Sequence, residues 1–248
     1  MPAAKYAAIY EHLRRAIETK EYQGSLPSEH QLTERYACSR NTVRRAVARL
    51  AEEGYVQSVH GKGVLILRRL PPPVESQFLI SGIESMEEAA ARNHLSLTTK
   101  VIYFTELSAD GALSALTGFP EGSPLYHLRR LRYIEGEALI LDDNYFLRDV
   151  VRGLTPEIAE NSVYAYLENT LGESIVTTQR KYTVEPSTDL DRKYMELGDR
   201  NCLAVVTSWT YNDNGVLFEY TQSRHHPDRF VFYGLVQRKR KPQDKRMN

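Results

Sequence analysis

The feature that most restricts this chain is the stretch SRNTVRRAVARL, residues 39–50. Val43, Ala46, Val47 and Leu50 fall at i, i+3, i+4 and i+7, the stripe of a helix with one buried side. Ser39 stands where an N-cap is needed, and Gly54 stands where the helix must stop. Arg40 and Arg44 share one exposed row, and Thr42, Arg45 and Arg49 form a neighbouring one. A second helix precedes it after the three residues Ala37, Cys38 and Ser39. Its start carries Ser28 and Gln31 in capping-box spacing, and Leu32 and Tyr36 form its buried side. Further upstream, Tyr6, Ile9, Tyr10, Leu13 and Ile17 mark another amphipathic helix.

Two helices joined by a tight turn, the second carrying polar groups at its N-terminal end, form a helix-turn-helix. That end fits the major groove, where arginine pairs with guanine O6 and N7. The next segment, YVQSVHGKGVLIL, reads as two short strands around a glycine-rich turn, a wing that brings His60, Gly61 and Lys62 towards the duplex. A row of charges is also what a solvated helix face looks like; the caps, the stripe and the wing together favour DNA.

Charge supports this. The chain has 32 Lys/Arg and 32 Asp/Glu, yet residues 1–69 hold 12 basic against 7 acidic groups and residues 70–237 hold 14 against 24. Only the head suits a polyanion. The prolines at 71–73 are poor material for either helix or central strand and mark a boundary. The expected organisation is a DNA-binding domain over 1–69, a proline-rich linker over 70–79, an effector-binding and dimerisation domain over 80–238, and a basic tail over 239–248.

Beyond the prolines the periodicity changes to strands: KVIYFTE, a pair around Glu135-Gly136, ESIVTTQRKYTVEP, a hairpin turning at Asn-Asp-Asn-Gly, and RFVFYGLVQ. NSVYAYLENTLG reads as a helix capped by Ser162 and ended by Gly172, and STDLDRKYMELG as another. The fold class is α+β with a mixed, mostly antiparallel sheet. Arg130 and Arg132 lie two apart and share a face with Leu128; Glu219, Ser223 and His225 share another. Arginines with carboxylates and hydroxyls suit a phosphorylated polyol. The pattern alone favours cross-strand ion pairs on a wet sheet face instead.

The head, through PSE, SRNTVR, LAEEGY and HGKG in order, resembles the winged helix-turn-helix of GntR-type bacterial regulators. The resemblance implies DNA contacts by Arg40, Asn41, Thr42, Arg44, Arg45, His60, Gly61 and Lys62. The remainder, through SGIESMEE, ALILDDNYF, KYTVEPSTDLDR and LFEYTQSRHHPDRFVF, resembles the chorismate-lyase-like effector domain of the HutC-like branch. Trehalose operon repressors, induced by trehalose 6-phosphate, are similar. Gln222 and His226 stand where that pattern has an acid and a second basic residue.

By this resemblance Ser85, Arg130, Arg132, Ser162 and Tyr164 surround the phosphate. Asp142, Tyr145, Arg180, Glu185, Glu219 and His225 contact the sugar. It implies a homodimeric repressor on an inverted-repeat duplex operator. Glucosamine 6-phosphate or N-acetylglucosamine 6-phosphate is the substitute effector.

No catalytic residue, cofactor or metal site is expected. Cys38 and Cys202 lack zinc spacing, and the chain contains no GxSxG, HExxH or phosphate-loop motif, so an enzyme with a lyase-like domain is disfavoured. No apolar run nears the ~20 residues of a membrane span, and the first residues lack a leader's apolar core, so a cytoplasmic protein is expected.

Overall fold

The structure, a computed structural model, describes residues 2–67, 78–80 and 83–232. Residues 70–77, with the three prolines, and the basic tail over 239–248 lie outside the described residues. The chain divides into two compact units at Pro72/Pro73.

The first unit contains α1 (Pro2–Glu18), α2 (Glu29–Tyr36), α3 (Arg40–Glu52), β1 (Val56–Val59) and β2 (Gly63–Ile66). The expected capping box is present: the Gln31 N–H donates to Ser28 Oγ at 3.3 Å, and the Ser28 N–H donates to Gln31 Oε1 at 2.8 Å. Helix α2 ends at Ala37, whose φ of 45° is a left-handed conformation that turns the chain sharply into α3. Ile9, Tyr10, Leu13 and Ile17 of α1 pack with Leu32, Val43, Ala46 and Leu50 into one core, with Val47 only partly buried. Leu50 is wholly enclosed, so truncating it to alanine costs about 2–5 kcal/mol. β1 and β2 pair antiparallel from Val56↔Ile66 to Val59↔Gly63. Gly61 and Gly63 hold φ of 77° and 82°, values that favour glycine.

The second unit is built on β4 (Leu97–Ser108), β5 (Pro124–Ile134), β6 (Glu137–Leu147), β7 (Ile175–Pro186), β8 (Cys202–Asn212) and β9 (Leu217–His225). They form one antiparallel sheet in the order β4-β5-β6-β9-β8-β7. A separate parallel pair joins β3 (Phe78–Ile80) to β10 (Phe230–Phe232), so the domain is mixed but mostly antiparallel. β3 takes in Phe78 and Leu79, the last residues of the expected linker over 70–79, where β10 supplies a partner strand that local sequence does not reveal.

Helices cover parts of both sheet faces. On one, Tyr126, Leu128 and Phe146 meet Val150, Leu154, Ala159, Val163 and Leu167, drawn from α6 (Pro156–Ala159), α7 (Val163–Tyr166) and nearby chain. On the other, α8 (Asp189–Tyr194) and the residues after it pack Leu190, Met195 and Leu197 on Leu131, Leu141 and Leu203. The expected continuous helix to Gly172 is instead α7 followed by a π-helical turn, Leu167–Leu171, closed by Gly172 at φ 70°. α4 (Met86–Arg92) and α5 (Gly111–Thr117) complete the unit. The final strand is described only as Phe230–Phe232.

Candidate functional site

In the head, Ser39 caps α3 by accepting the Thr42 N–H at 3.3 Å, and its Oγ lies 2.9 Å from Thr42 Oγ1. Arg40, Asn41, Arg44 and Arg45 are exposed around that capped turn. Arg40 and Arg44 lie on one side. Arg44 Nε donates to Glu29 Oε2 at 2.7 Å, and Arg40 Nε stands 3.8 Å from Glu29 Oε1. The hydrogen bond to Glu29 raises the Arg44 pKa above its ordinary value. Arg45 turns towards α1, its guanidinium 4.2 Å from the Tyr6 ring centroid, which separates it from the Arg40–Arg44 pair. His60, Gly61 and Lys62 are exposed at the tip between β1 and β2.

In the second unit a cavity of roughly 800 Å³, its open mouth included, lies over the sheet. Arg130 and Arg132 line it, and they are 5% and 3% exposed. The expected cross-strand ion pair is present, but not on a wet, exposed face: both arginines and Asp142 are buried under the chain packed over this side of the sheet.

Asp142, itself buried, holds the arginines. Arg132 Nε donates to Asp142 Oδ2 at 2.6 Å, Arg130 Nη2 lies 4.0 Å away, and Ser223 Oγ donates to Oδ1 at 2.6 Å. Burial alone would raise the Asp142 pKa, but Arg132 and Arg130 overcome it and hold the carboxyl below its usual range. Arg132 Nη1 also donates to Thr99 Oγ1 at 3.0 Å and stands 3.6 Å from Glu87 Oε1. Arg130 Nε donates to Asn144 Oδ1 at 2.9 Å. Burial, then the like charge of Arg132, lowers the Arg130 pKa to about 10. The guanidinium thus stays protonated at neutral pH while poorly solvated, a setting that rewards an incoming anion.

A polar chain runs on from Asn144, behind the lining, to cavity residues. Asn144 Nδ2 donates to Thr221 Oγ1, Thr221 to Glu219 Oε1, and Tyr164 OH to Glu219 Oε2, each at 2.7 Å. Burial, then Glu219, pushes the Tyr164 hydroxyl well above its ordinary pKa. His225 is 4% exposed and lines the cavity; its Nε2 has no hydrogen-bond partner among the described residues. Burial lowers its pKa to about 4, so the ring is neutral. Phe146, Val206, Tyr182, Phe230 and Phe232 form apolar wall.

Of the residues expected at the effector, the fold gathers Ser85, Arg130, Arg132, Asp142, Tyr164, Arg180, Glu219 and His225 around this cavity. It does not bring Ser162, Tyr145 or Glu185 there. Ser162 caps α7, accepting the Ala165 N–H at 3.2 Å. Tyr145 is three residues from Asp142 and so faces the other side of the sheet, stacked on His127 at 4.2 Å. Glu185 is five from Arg180, also on that other side, and accepts from Arg224 Nη1 at 2.8 Å. Gln222 shares the Tyr220 and Arg224 side of β9, so the departure from the family pattern at this position lies off the cavity.

Sequence reasoning missed Asn144 and Thr221, although alternation from Asp142 and Glu219 points to both. It also missed Glu29, Glu87 and the β10 phenylalanines, which sequence spacing does not connect to their neighbours.

A helix-turn-helix head with an exposed arginine pair, in one chain with a domain that holds an arginine-lined cavity, has the build of a DNA-binding regulator. The chain belongs to the gntR family of bacterial regulatory proteins, whose model matches residues 5–66, and carries a UTRA domain over residues 92–231. It is 36% identical to the HTH-type transcriptional regulator TreR of Bacillus subtilis (strain 168) over 96% of this chain and 99% of that one. The structure of the B. subtilis trehalose repressor (TreR) effector binding domain is similar at 35% identity and a TM-score of 0.52, covering 58% of this chain and 99% of that domain. YydK of B. subtilis subsp. subtilis str. 168 shares the fold at 20% identity and a TM-score of 0.79, over 94% of this chain and 99% of its own. Among the described residues no helix is long and apolar enough to cross a membrane.

Proposed function

We propose that this regulator represses trehalose-utilisation genes from the cytoplasm and leaves its operator when trehalose 6-phosphate fills the cavity. The observation that carries the effector class is the pairing of Arg130 and Arg132, buried beside Asp142 and Glu87, with Thr221 and Glu219 lining the cavity next to them and Asn144 linking Arg130 to Thr221. The arginines take the phosphate. Glu219, Ser223 and His225 address hydroxyls, since the carboxylate oxygens can accept more bonds than Tyr164 and Thr221 supply. Asp142 acts by holding the arginines and Ser223. The similarity to TreR supports trehalose as the sugar.

Two copies of the chain place two heads on the half-sites of an inverted repeat, as two-fold symmetry requires. The effector need only bind better to an arrangement whose heads do not match the operator; a coupling of about 1–3 kcal/mol lowers DNA affinity some 5–150-fold.

The test is a thermal-shift series on the full chain with trehalose 6-phosphate, trehalose, glucosamine 6-phosphate, N-acetylglucosamine 6-phosphate and inorganic phosphate, repeated with duplex DNA from the regulated promoter. Trehalose 6-phosphate should raise the melting temperature most, by mass action, and release the DNA. A larger effect from either amino-sugar phosphate would replace the effector. No response to any of them would remove the sensing role.

A further inference from the structure

Glu29 begins α2, yet its carboxylate works on α3. Its Oε2 accepts from Arg44 Nε at 2.7 Å, and its Oε1 stands 3.8 Å from Arg40 Nε. The two arginines are 69% and 66% exposed in their side chains, whereas Glu29 is 34% exposed. Arg40 and Arg44 are i and i+4 on α3, a spacing at which like charges repel. One carboxylate between them removes that repulsion. Both contacts use Nε, the edge of the guanidinium nearest the stem. The terminal Nη pair of each arginine, which forms the fork that matches guanine O6 and N7, is left for another acceptor.

We infer that Glu29 is the specificity-determining positioning residue of the DNA-reading face: it orients Arg40 and Arg44 for base edges and weakens their attraction for phosphate. The inference rests on the DNA-binding role of the head and adds a division of labour within it. Two free arginines at this spot would present two positive charges to any duplex, whatever its sequence. With Glu29 the pair carries one net charge and a fixed geometry. A carboxylate close to the groove repels the backbone of every duplex equally, while the forks it orients reward only the correct bases. Discrimination is a difference of affinities, and Glu29 acts on both of its parts. Because the orientation exists before DNA arrives, less side-chain freedom is lost on binding.

Glu29 also sits in the first turn of α2, where a carboxylate favours the helix dipole. That structural role predicts a loss of stability with no change in base preference, so the two roles separate experimentally. The probes are a duplex enriched by the full-length wild-type protein from a randomised pool, and a sheared mixed-sequence duplex. Glu29→Gln keeps the shape and removes the charge; Glu29→Asp keeps the charge on a shorter stem.

The expected result for E29Q is stronger binding to the mixed-sequence duplex and a specific-to-nonspecific ratio lower by about tenfold. Its mixed-sequence affinity should fall more steeply with salt, by about one in log–log slope. Re-selection with E29Q should return a relaxed preference at one or two base pairs of each half-site, and E29D should recover part of it. An unchanged ratio and an unchanged selected sequence, with or without a lower melting temperature, would leave Glu29 as a helix-capping charge only and overturn the inference. If the wild-type protein enriches no sequence, it is the DNA-reading role of the head that fails.

Discussion

Arg132 and Asp142 meet diagonally across neighbouring strands with Nε and Oδ2 2.6 Å apart, and each is at most 3% exposed. Breaking such a buried pair from one side leaves an uncompensated charge, at a cost of about 3–5 kcal/mol. Asp142→Ala should therefore destabilise the sheet domain by that order. Trp209, the single tryptophan, lies in β8, so its fluorescence during denaturant unfolding reports this unit. A second change, Arg132→Met, should recover part of the loss, because no unpaired charge then remains at that position.

Arg130→Ala removes a cavity guanidinium whose Nε donates to Asn144 Oδ1 at 2.9 Å. The variant should lose the thermal shift produced by trehalose 6-phosphate and stay bound to promoter DNA in its presence. Its DNA affinity without effector should match the wild type. A variant that remains fully inducible would place the phosphate elsewhere.

Arg44→Ala should do the opposite. Loss of the base contact proposed for Arg44 should weaken promoter binding by about 1–3 kcal/mol, read by titration at fixed salt. The effector-induced thermal shift of the sheet domain should be unaffected.

His225 makes stability depend on pH. Its folded pKa is lowered to about 4 from 6.5, so between these values the unfolded chain binds a proton that the folded chain refuses. The stabilisation is complete above pH 6.5 and is lost progressively as pH falls towards 4. This group alone accounts for a drop of about 2 kcal/mol between pH 7 and pH 5. His225→Gln should flatten that part of the unfolding profile, and an equally steep profile would mean that the ring is charged or wet.

The head was legible because its determinants are local. Ser28 with Gln31, Ser39 with Thr42, and the spacing of Val43, Ala46 and Leu50 act within a few residues, and a helix follows from them wherever the segment is placed. Strand parity was legible for the same reason. It puts Arg130 with Arg132 and Glu219 with Ser223 and His225, and it already separates Tyr145 from Asp142 and Glu185 from Arg180.

What parity does not say is which face is buried, since both sides of β5 and β9 mix charge with apolar groups. Register and cover decided that. The pairing Arg130↔Asp142↔Ser223 places side chains of three neighbouring strands in one row, and the chain packed over that side buries it. A surface ion pair and a buried one have the same residues in sequence. They differ in the solvent exposure that long-range packing sets, and no local spacing carries that information.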